Sequence, residues 1–241
     1  MACSTNPAAE PILRLELRHG GPGDVLGPIA LALSAGETLA LTGPSGVGKT
    51  TLLRILAGLE PRFVGARHAP AQVAMVFQEP VLLPWRTAAQ NIAIVAGCSS
   101  MEALQWLEEV GLGGLGDRLP GQLSLGQQRR LALARAFAAA PQLLLMDEPF
   151  VSLDPALADE MMALFERLRA ARPCATLLVT HVEAEAKRLA GRILRLEGRP
   201  AQLVSGEPGG GPRSDWTVAA ATLSGRADFR RAPNTTKVPE V

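Results

Sequence analysis

The chain has 241 residues, with 24 Lys and Arg against 23 Asp and Glu, so its formal net charge is +1. This balance excludes a protein that holds nucleic acid through charge alone, and we expect no nucleic-acid partner. The three cysteines, Cys3, Cys98 and Cys174, are too far apart for a metal or disulfide pattern, and no apolar stretch approaches the ~20 residues of a membrane-spanning helix.

Alternating apolar and polar side chains predict two antiparallel strands, at residues 12–17 and 28–33. Further strands are predicted at 37–41, 72–77, 143–146 and 175–179, and helices at 52–57, 99–110, 127–139 and 154–171. We interpret the runs at 72–77 and 143–146 as buried strands. Strands that alternate with helices in this way indicate an α/β fold with a mainly parallel sheet.

The composition changes at Ser205. The last 37 residues contain nine Gly or Pro and show little periodicity. Such a segment lacks the regular apolar pattern that would build a core. We therefore predict a folded domain over residues 1–204 and a flexible tail over 205–241.

A glycine-rich segment between the strand at 37–41 and the helix at 52–57 fits the pattern G-x-x-x-x-G-K-[ST]. Its glycines let backbone N–H groups approach phosphate oxygens, and the helix that follows adds the positive end of its dipole. Lys49 is expected to neutralise the β and γ phosphates, and the Thr50 hydroxyl to ligate Mg²⁺. The alternative, a glycine-rich turn without a ligand, is disfavoured by this strand and helix. The predicted nucleotide-binding residues of this loop are Gly43, Pro44, Ser45, Gly46, Val47, Gly48, Lys49, Thr50 and Thr51.

Two carboxylates close the apolar strand at 143–146. The glycine-rich segment at 43–50 has the pattern of a P-loop, the phosphate-binding loop of many nucleoside triphosphatases. In such an enzyme an aspartate at the place of Asp147 holds Mg²⁺, directly or through water, and a glutamate at the place of Glu148 can polarise an attacking water. Alone, the two acids fit an exposed structural pair at a strand end equally well. The P-loop upstream favours the catalytic interpretation.

Six motifs in order resemble those of the nucleotide-binding subunit of an ATP-binding cassette (ABC) transporter. Besides the P-loop and LLLMDEP, they are Gln78 in MVFQEP, LSLGQ at 123–127, Ser152-Leu153-Asp154, and His181. The resemblance covers about residues 12–204. It implies an ABC cassette: an ATP-binding core with a mainly parallel sheet, an antiparallel β subdomain, and a helical subdomain at about residues 80–140.

The resemblance also implies a head-to-tail dimer that sandwiches two ATP molecules. Each ATP lies between the P-loop of one subunit and the LSLGQ signature of the other. Asp154 is expected to bridge the two subunits. The signature and bridging residues expected to contact or frame the nucleotide are Ser124, Gly126, Gln127 and Asp154.

Catalytic roles follow from the same resemblance. Gln78 is expected to sense Mg²⁺ and the attacking water, and His181 to hydrogen-bond the γ phosphate. Considered alone, His181 could be a capping or surface histidine and Gln78 a surface amide. Only their occurrence together with the other motifs supports catalytic roles. The predicted catalytic residues are Glu148, His181 and Gln78, and the predicted metal-binding residues are Thr50, Gln78 and Asp147.

The segment VFQEPVLLPWRTAAQNI, residues 76–92, resembles the branch that imports nitrate, sulfonates and taurine. This implies an ATP-hydrolysing subunit that energises an importer of a small anion. Trp85 and the apolar run at 81–83 are then expected to form an exposed surface for the membrane permease, with ordinary core packing as the alternative.

The implied partners are a permease, a second copy of the chain and, indirectly, an external substrate-binding protein, with the chain at the cytoplasmic face of the membrane. The alternative functions are a soluble ABC ATPase without a transport role and a degenerate regulatory subunit.

Three features depart from the family pattern. No Tyr, Phe or Trp precedes the P-loop where the family usually stacks an aromatic ring on adenine, and His19 is the only ring available. Leu125 stands where the signature usually has glycine, so a bulky side chain is expected near the dimer seam. The stretch 58–78 is shorter than usual, so part of the antiparallel subdomain is expected to be missing.

Overall fold

The computed structural model describes residues 10–208 of the chain. These residues form two sheets and six α-helices. The strands are β1 (Leu13–Gly20), β2 (Ile29–Leu33), β3 (Thr38–Thr42), β4 (Phe63–His68), β5 (Val73–Val76), β6 (Leu143–Asp147), β7 (Ala175–Val179), β8 (Arg192–Gly198) and β9 (Ala201–Pro208). The helices are α1 (Lys49–Ala57), α2 (Ala88–Ala96), α3 (Ser100–Glu109), α4 (Leu125–Ala138), α5 (Pro155–Ala171) and α6 (Glu183–Leu189).

The larger sheet has six strands in the order β5-β6-β7-β3-β8-β9. Its first five strands run parallel, and β9 is antiparallel to β8. Side chains of β6 alternate between two cores: Leu143 and Leu145 pack in the cluster that includes α1, whereas Leu144 and Met146 pack in the cluster that includes α4 and α5. Cover on both faces explains why β6 is apolar without interruption. The predicted α/β class with a mainly parallel sheet is confirmed.

The smaller sheet is antiparallel, in the order β2-β1-β4. The alternation along β1 and β2 was the signal for these strands, and their Leu and Ile residues are buried, whereas Ala30 and Ala32 of β2 are exposed. Strand β4 had no such signal because four of its six residues are exposed. Four residues, 69–72, join β4 to β5.

Helices α2, α3 and α4 lie between β5 and β6 in the sequence, at residues 88–138. Each begins at a side chain that accepts from the backbone three residues later: Thr87, Ser99 and Ser124. In each case the residue at that position also bonds back, which completes a capping box. The apolar faces of these helices join α5 and β6 in one core cluster.

Two sequence-based interpretations need correction. The run at 72–77 is not a buried strand: among the described strands β5 lies at the edge of the sheet and pairs only with β6, and three of its four residues are half-buried. The boundary after residue 204 falls inside β9, whose pairing with β8 continues to Pro208. The rest of the predicted tail, residues 209–241, lies outside the described residues. Within residues 10–208 no helix is long and apolar enough to cross a membrane.

Candidate functional site

The parallel strands bring most of the predicted catalytic side chains to one edge of the large sheet. Strand β3 leads into the P-loop, and β6 ends at Asp147. Gln78 follows β5 by two residues and His181 follows β7 by two residues. Because the carboxyl ends of neighbouring parallel strands meet at the same sheet edge, these segments converge although they are far apart in sequence. Gln78 is exposed there.

The P-loop requires glycine at two positions. Gly43 has φ +146°, and a Cβ atom there would lie 2.4 Å from the carbonyl oxygen of Leu196. Gly48 has φ +113°, and a Cβ atom there would lie 2.8 Å from Leu26 Cδ2. Gly48 then leads into α1 without a side-chain cap. The first N–H groups of α1 therefore remain available to an anion.

The other loop residues divide between solvent and core. Pro44, Ser45 and Gly46 are exposed, whereas Val47 is buried in the core cluster shared with α1. The Val47 side chain therefore anchors the loop and leaves only its backbone for a ligand. Thr51 faces Gly21, where an added Cβ atom would lie 2.5 Å from its Cγ2.

Lys49 bends back over the loop. Its side chain is only 5% exposed, and its ammonium donates to the carbonyl oxygens of Gly43, at 2.9 Å, and Pro44, at 3.1 Å. The same nitrogen is 3.7 Å from Glu148 Oε1. This geometry places a positive charge between the phosphate-binding backbone and the carboxylate that follows β6.

Asp147 and Thr50 form the candidate metal-binding pair. Asp147 is buried at the end of β6, and its carboxylate is hydrogen-bonded with the Thr50 side chain. Burial raises the pKa of Asp147, while the Thr50 hydrogen bond and the charge of Lys49 act to lower it. A hydroxyl beside a carboxylate is a donor set of hard oxygens, which fits Mg²⁺.

Glu148 and His181 face each other at the same edge. His181 Nδ1 lies 3.1 Å from Glu148 Oε2. Glu148 has φ +47°, an uncommon value for a residue other than glycine, and its N–H donates to the Val179 oxygen at 2.9 Å. The tie to β7 helps hold the turn in this conformation, and the turn aims the carboxylate toward the P-loop lysine and the imidazole.

A buried pair behind His181 was missed in the sequence. Thr180 Oγ1 donates to Glu185 Oε2 at 2.5 Å and accepts from the Val182 N–H at 3.0 Å. Burial raises the pKa of Glu185, with the His181 charge lowering it and the Glu148 charge raising it. One feature of the sequence could have indicated that Glu185 is buried: it lies in the first turn of α6, and the residues beside it on that helix, Ala186 and Leu189, are apolar.

The signature lies apart from the P-loop. Ser124 caps α4 and forms a capping box with Gln127. A surface depression at this helix start is lined by Gly111, Leu112, Ser124, Leu125, Gly126, Gln127, Arg130 and Leu157, none of which belongs to the P-loop. Leu125 is 48% exposed and does not have a positive φ, so a side chain is accommodated here.

Gly126 connects the signature to the segment that carries Asp154. A Cβ atom on Gly126 would lie 3.0 Å from Leu157 Cδ2, in the first turn of α5. Asp154 caps α5 by accepting from the Leu157 N–H at 3.0 Å, as its sequence context predicted. Asp154 is itself exposed, beside the signature.

The loop at residues 81–86 presents Trp85, whose side chain is 70% exposed. Fully buried Asn91 accepts from the Leu83 N–H at 2.8 Å and donates to the oxygens of Leu83 and Arg86 at 3.1 and 3.0 Å. Val81 is also exposed, but Leu82 and Leu83 are half-buried, so the expected apolar surface is narrower than residues 81–83.

His19 lies at the end of β1, next to the turn that packs on the P-loop helix. Its Nδ1 is 2.8 Å from Asp24 Oδ1, and the ring is half exposed. Gly21 in the same turn contacts Thr51, as described above. The only ring ahead of the P-loop is therefore paired with a carboxylate.

A P-loop backbone, a buried lysine, an aspartate with a threonine hydroxyl, and a glutamate with a histidine define a nucleoside triphosphatase of the P-loop class. A family model described as "ABC transporter" matches residues 26–151. The chain belongs to the ABC transporter family, and it is an ATP-binding and ATP-hydrolysing subunit of that family.

Curated relatives agree over most of the chain. The aliphatic sulfonates import ATP-binding protein SsuB 1 of Pseudomonas syringae pv. syringae is 42% identical over 82% of this chain and 85% of its own length. The aliphatic sulfonates import ATP-binding protein SsuB 2 of Xanthomonas axonopodis pv. citri is 39% identical over 99% of this chain and 87% of its own. Names of this kind disfavour a soluble ATPase without a transport role.

A solved structure also resembles this chain in fold. It is a dimeric ATP-binding cassette in a post-hydrolysis state, bound to ADP and phosphate. The TM-score is 0.70 and the identity 26%, over 81% of this chain and 98% of that chain. The predicted ABC cassette fold is confirmed.

Proposed function

We propose that this chain powers the import of aliphatic sulfonates by hydrolysing ATP at the cytoplasmic face of the membrane. The observation that carries the proposal is the convergence of Lys49, Glu148 and His181 on the P-loop, in a chain 42% identical to an aliphatic sulfonates import ATP-binding protein. Together these side chains also argue against a degenerate regulatory subunit.

The phosphates of ATP bind to the P-loop backbone N–H groups and to the start of α1. Lys49 exchanges its bonds to the Gly43 and Pro44 carbonyls for phosphate oxygens. Thr50 and Asp147, together with Gln78, would hold Mg²⁺, which when bound would supply positive charge against the phosphates.

Hydrolysis then requires a proton acceptor for water. As the water oxygen bonds to the γ phosphorus, Glu148 accepts its proton, and the bond from that phosphorus to the β–γ bridging oxygen breaks to give ADP and phosphate. His181, 3.1 Å from Glu148, holds the γ phosphate and orients the water.

A second copy of the chain completes each ATP site. The support is the separation of the signature from the P-loop: the helix start that offers Ser124, Gly126 and Gln127 opens into a surface depression, and no P-loop residue lines it. Paired head to tail, each signature supplies a γ phosphate with N–H donors from the partner, and Asp154 lies at the seam.

The permease binds at the loop 81–86. Trp85 is a large exposed aromatic side chain on a backbone fixed by Asn91, and preordered aromatic anchors are typical of interface hot spots. Closure of the dimer would reach the membrane subunit through this loop, since Gln78 and Trp85 lie on the same segment between β5 and α2. An external substrate-binding protein delivers the sulfonate.

The test is ATP-driven uptake of a labelled alkanesulfonate by vesicles that contain the chain and its permease. We expect wild-type uptake, none with Glu148→Gln, and an ATP-bound dimer that accumulates in this variant because binding survives without hydrolysis. Glu16→Gln, an exposed carboxylate of β1, is the matched control. If the wild type hydrolyses ATP and drives the uptake of nitrate but not of the sulfonate, the proposed substrate is wrong. If the wild type does not hydrolyse ATP, the proposed activity is wrong.

The permease contact has a separate test. Trp85→Ala should abolish co-purification with the permease while ATP hydrolysis by the isolated chain is unchanged, because Trp85 contacts no nucleotide-binding residue in the proposed mechanism. Val204→Ala replaces another exposed apolar side chain, on β9, and should leave co-purification intact. Retained co-purification of Trp85→Ala would place the permease elsewhere.

A further inference from the structure

Arg129 on α4 is a buried cation with little to balance it. The residue is only 7% exposed, and its Nε has no hydrogen-bond partner among residues 10–208. Its Nη1 donates a hydrogen bond to the Pro149 carbonyl oxygen at 3.0 Å. Burial lowers the pKa of Arg129. Removing a charge from water without a carboxylate opposes folding, so the contribution of Arg129 to stability does not explain its position.

The acceptor of this bond is next to the proposed catalytic base. Pro149 directly follows Glu148, whose backbone has φ +47°. On the other side, the Glu148 N–H is tied to the Val179 oxygen, and its carbonyl oxygen accepts from the Val151 N–H at 3.3 Å. Of these three hydrogen bonds, only the bond from Arg129 comes from a side chain, and it holds Pro149, the residue that directly follows Glu148.

The other end of α4 carries the signature. Arg129 lies five residues after Ser124, which is about 7.5 Å along a helix axis. Because a helix moves as a rigid body, a shift of the Ser124 end is transmitted to the Arg129 guanidinium. A cavity of about 10 Å³, lined among others by Phe77, Pro149 and Arg129, lies where α4, the Gln78 segment and the Glu148 turn meet.

We propose that Arg129 is a positioning residue that couples the two ATP sites of the dimer. In the proposed arrangement Ser124 contacts the ATP bound to the partner, whereas Glu148 of the same chain acts on that chain's own ATP. Arg129 links Ser124 to the Glu148 turn through α4, so ATP bound in one site controls the position of the catalytic carboxylate in the other site. This inference rests on the proposed function and on the head-to-tail dimer.

The test is the dependence of ATP hydrolysis on ATP concentration, measured with the full chain and expressed per mole of folded protein. The wild type should be cooperative, with a Hill coefficient well above 1. In Arg129→Met we expect kcat to fall about 10-fold or more, because a misplaced catalytic group is costly, while half-saturation changes little and the Hill coefficient approaches 1. Arg129→Lys, which keeps a donor for the Pro149 oxygen, should recover much of both.

Arg169→Met is the matched control. Arg169 is also desolvated, which lowers its pKa, but it donates to Thr38 Oγ1 at the opposite end of β3. It should change thermal stability without changing the Hill coefficient. If the wild type does not hydrolyse ATP, the proposed function fails. If the wild type hydrolyses ATP without cooperativity, or if Arg129→Met keeps wild-type kcat and cooperativity, or if Arg129→Lys fails as completely as Arg129→Met, the coupling role is refuted.

Discussion

Asn91 is the side chain that holds the loop at residues 81–86, and replacing it with alanine tests how that loop works. The variant removes the bonds of Asn91 to the Leu83 N–H, the Leu83 carbonyl and the Arg86 carbonyl, and one further bond to the carbonyl of Thr87, which caps α2. The Leu83 carbonyl keeps a second bond, which it accepts from the Arg86 N–H at 3.1 Å. At about 1 kcal/mol for each of the three lost loop bonds, the loss is about 3 kcal/mol. For a domain of this size, that lowers Tm by about 6–12 °C.

The assay combines chemical denaturation with amide hydrogen exchange and permease binding. We expect Asn91→Ala to expose the Leu83 amide to exchange and to weaken permease binding, while ATP turnover per folded chain stays near the wild-type value. Gln90→Ala is the matched control, because it removes one exposed capping bond, to the Thr87 N–H. A stability loss no larger than that of the control, with the Leu83 amide still protected, would show that the loop is held by other contacts.

Two further predictions concern groups at the margin of the site. His19→Tyr should tighten ATP binding about 2- to 10-fold, because an aromatic face adds about 0.5–1.5 kcal/mol of stacking on adenine. The control is His68→Tyr, at the far end of β4, which should leave the affinity for ATP unchanged. Equal affinity for ATP in both variants would show that adenine does not stack at residue 19. Glu185→Gln should raise Tm at neutral pH. Burial raises the pKa of Glu185 in the folded state above its ordinary value of 4.5. The wild type therefore loses stability as pH rises from 4.5 through the folded-state pKa, because the carboxylate must then carry its charge in a buried position. The stability advantage of the glutamine variant should grow over the same pH range. A Tm difference that does not vary with pH would contradict the assignment of that shift to Glu185.

Local features of the site could be predicted from the sequence because their causes lie within a few residues. The Ser99–Glu102 capping box and the Asp154 cap each depend on bonds within one turn, and the structure contains them. The alternation along β1 and β2 predicted their buried faces for the same reason.

The burial and the length of the two edge strands, β5 and β9, could not be predicted from the sequence. Strand β5 has an apolar sequence like that of β6, yet it is half-buried because, within residues 10–208, it has a neighbouring strand on one side only. Strand β9 continues past Ser205 through a segment rich in Gly and Pro because the backbone of β8 lies alongside it. Neither outcome depends on the strand's own residues alone.

The sequence by itself determined which side chains can bind phosphate and magnesium and which can accept a proton, since residue chemistry and spacing within a motif are local properties. Only the tertiary structure decided their arrangement. His181 meets Glu148, 33 residues away, because β6 and β7 are neighbours, and Arg129 reaches Pro149 because α4 packs beside the end of β6. The signature stays apart from the P-loop of its own chain. The physical reason is that strand order and helix packing depend on burying apolar surface across the whole domain, which no single motif encodes.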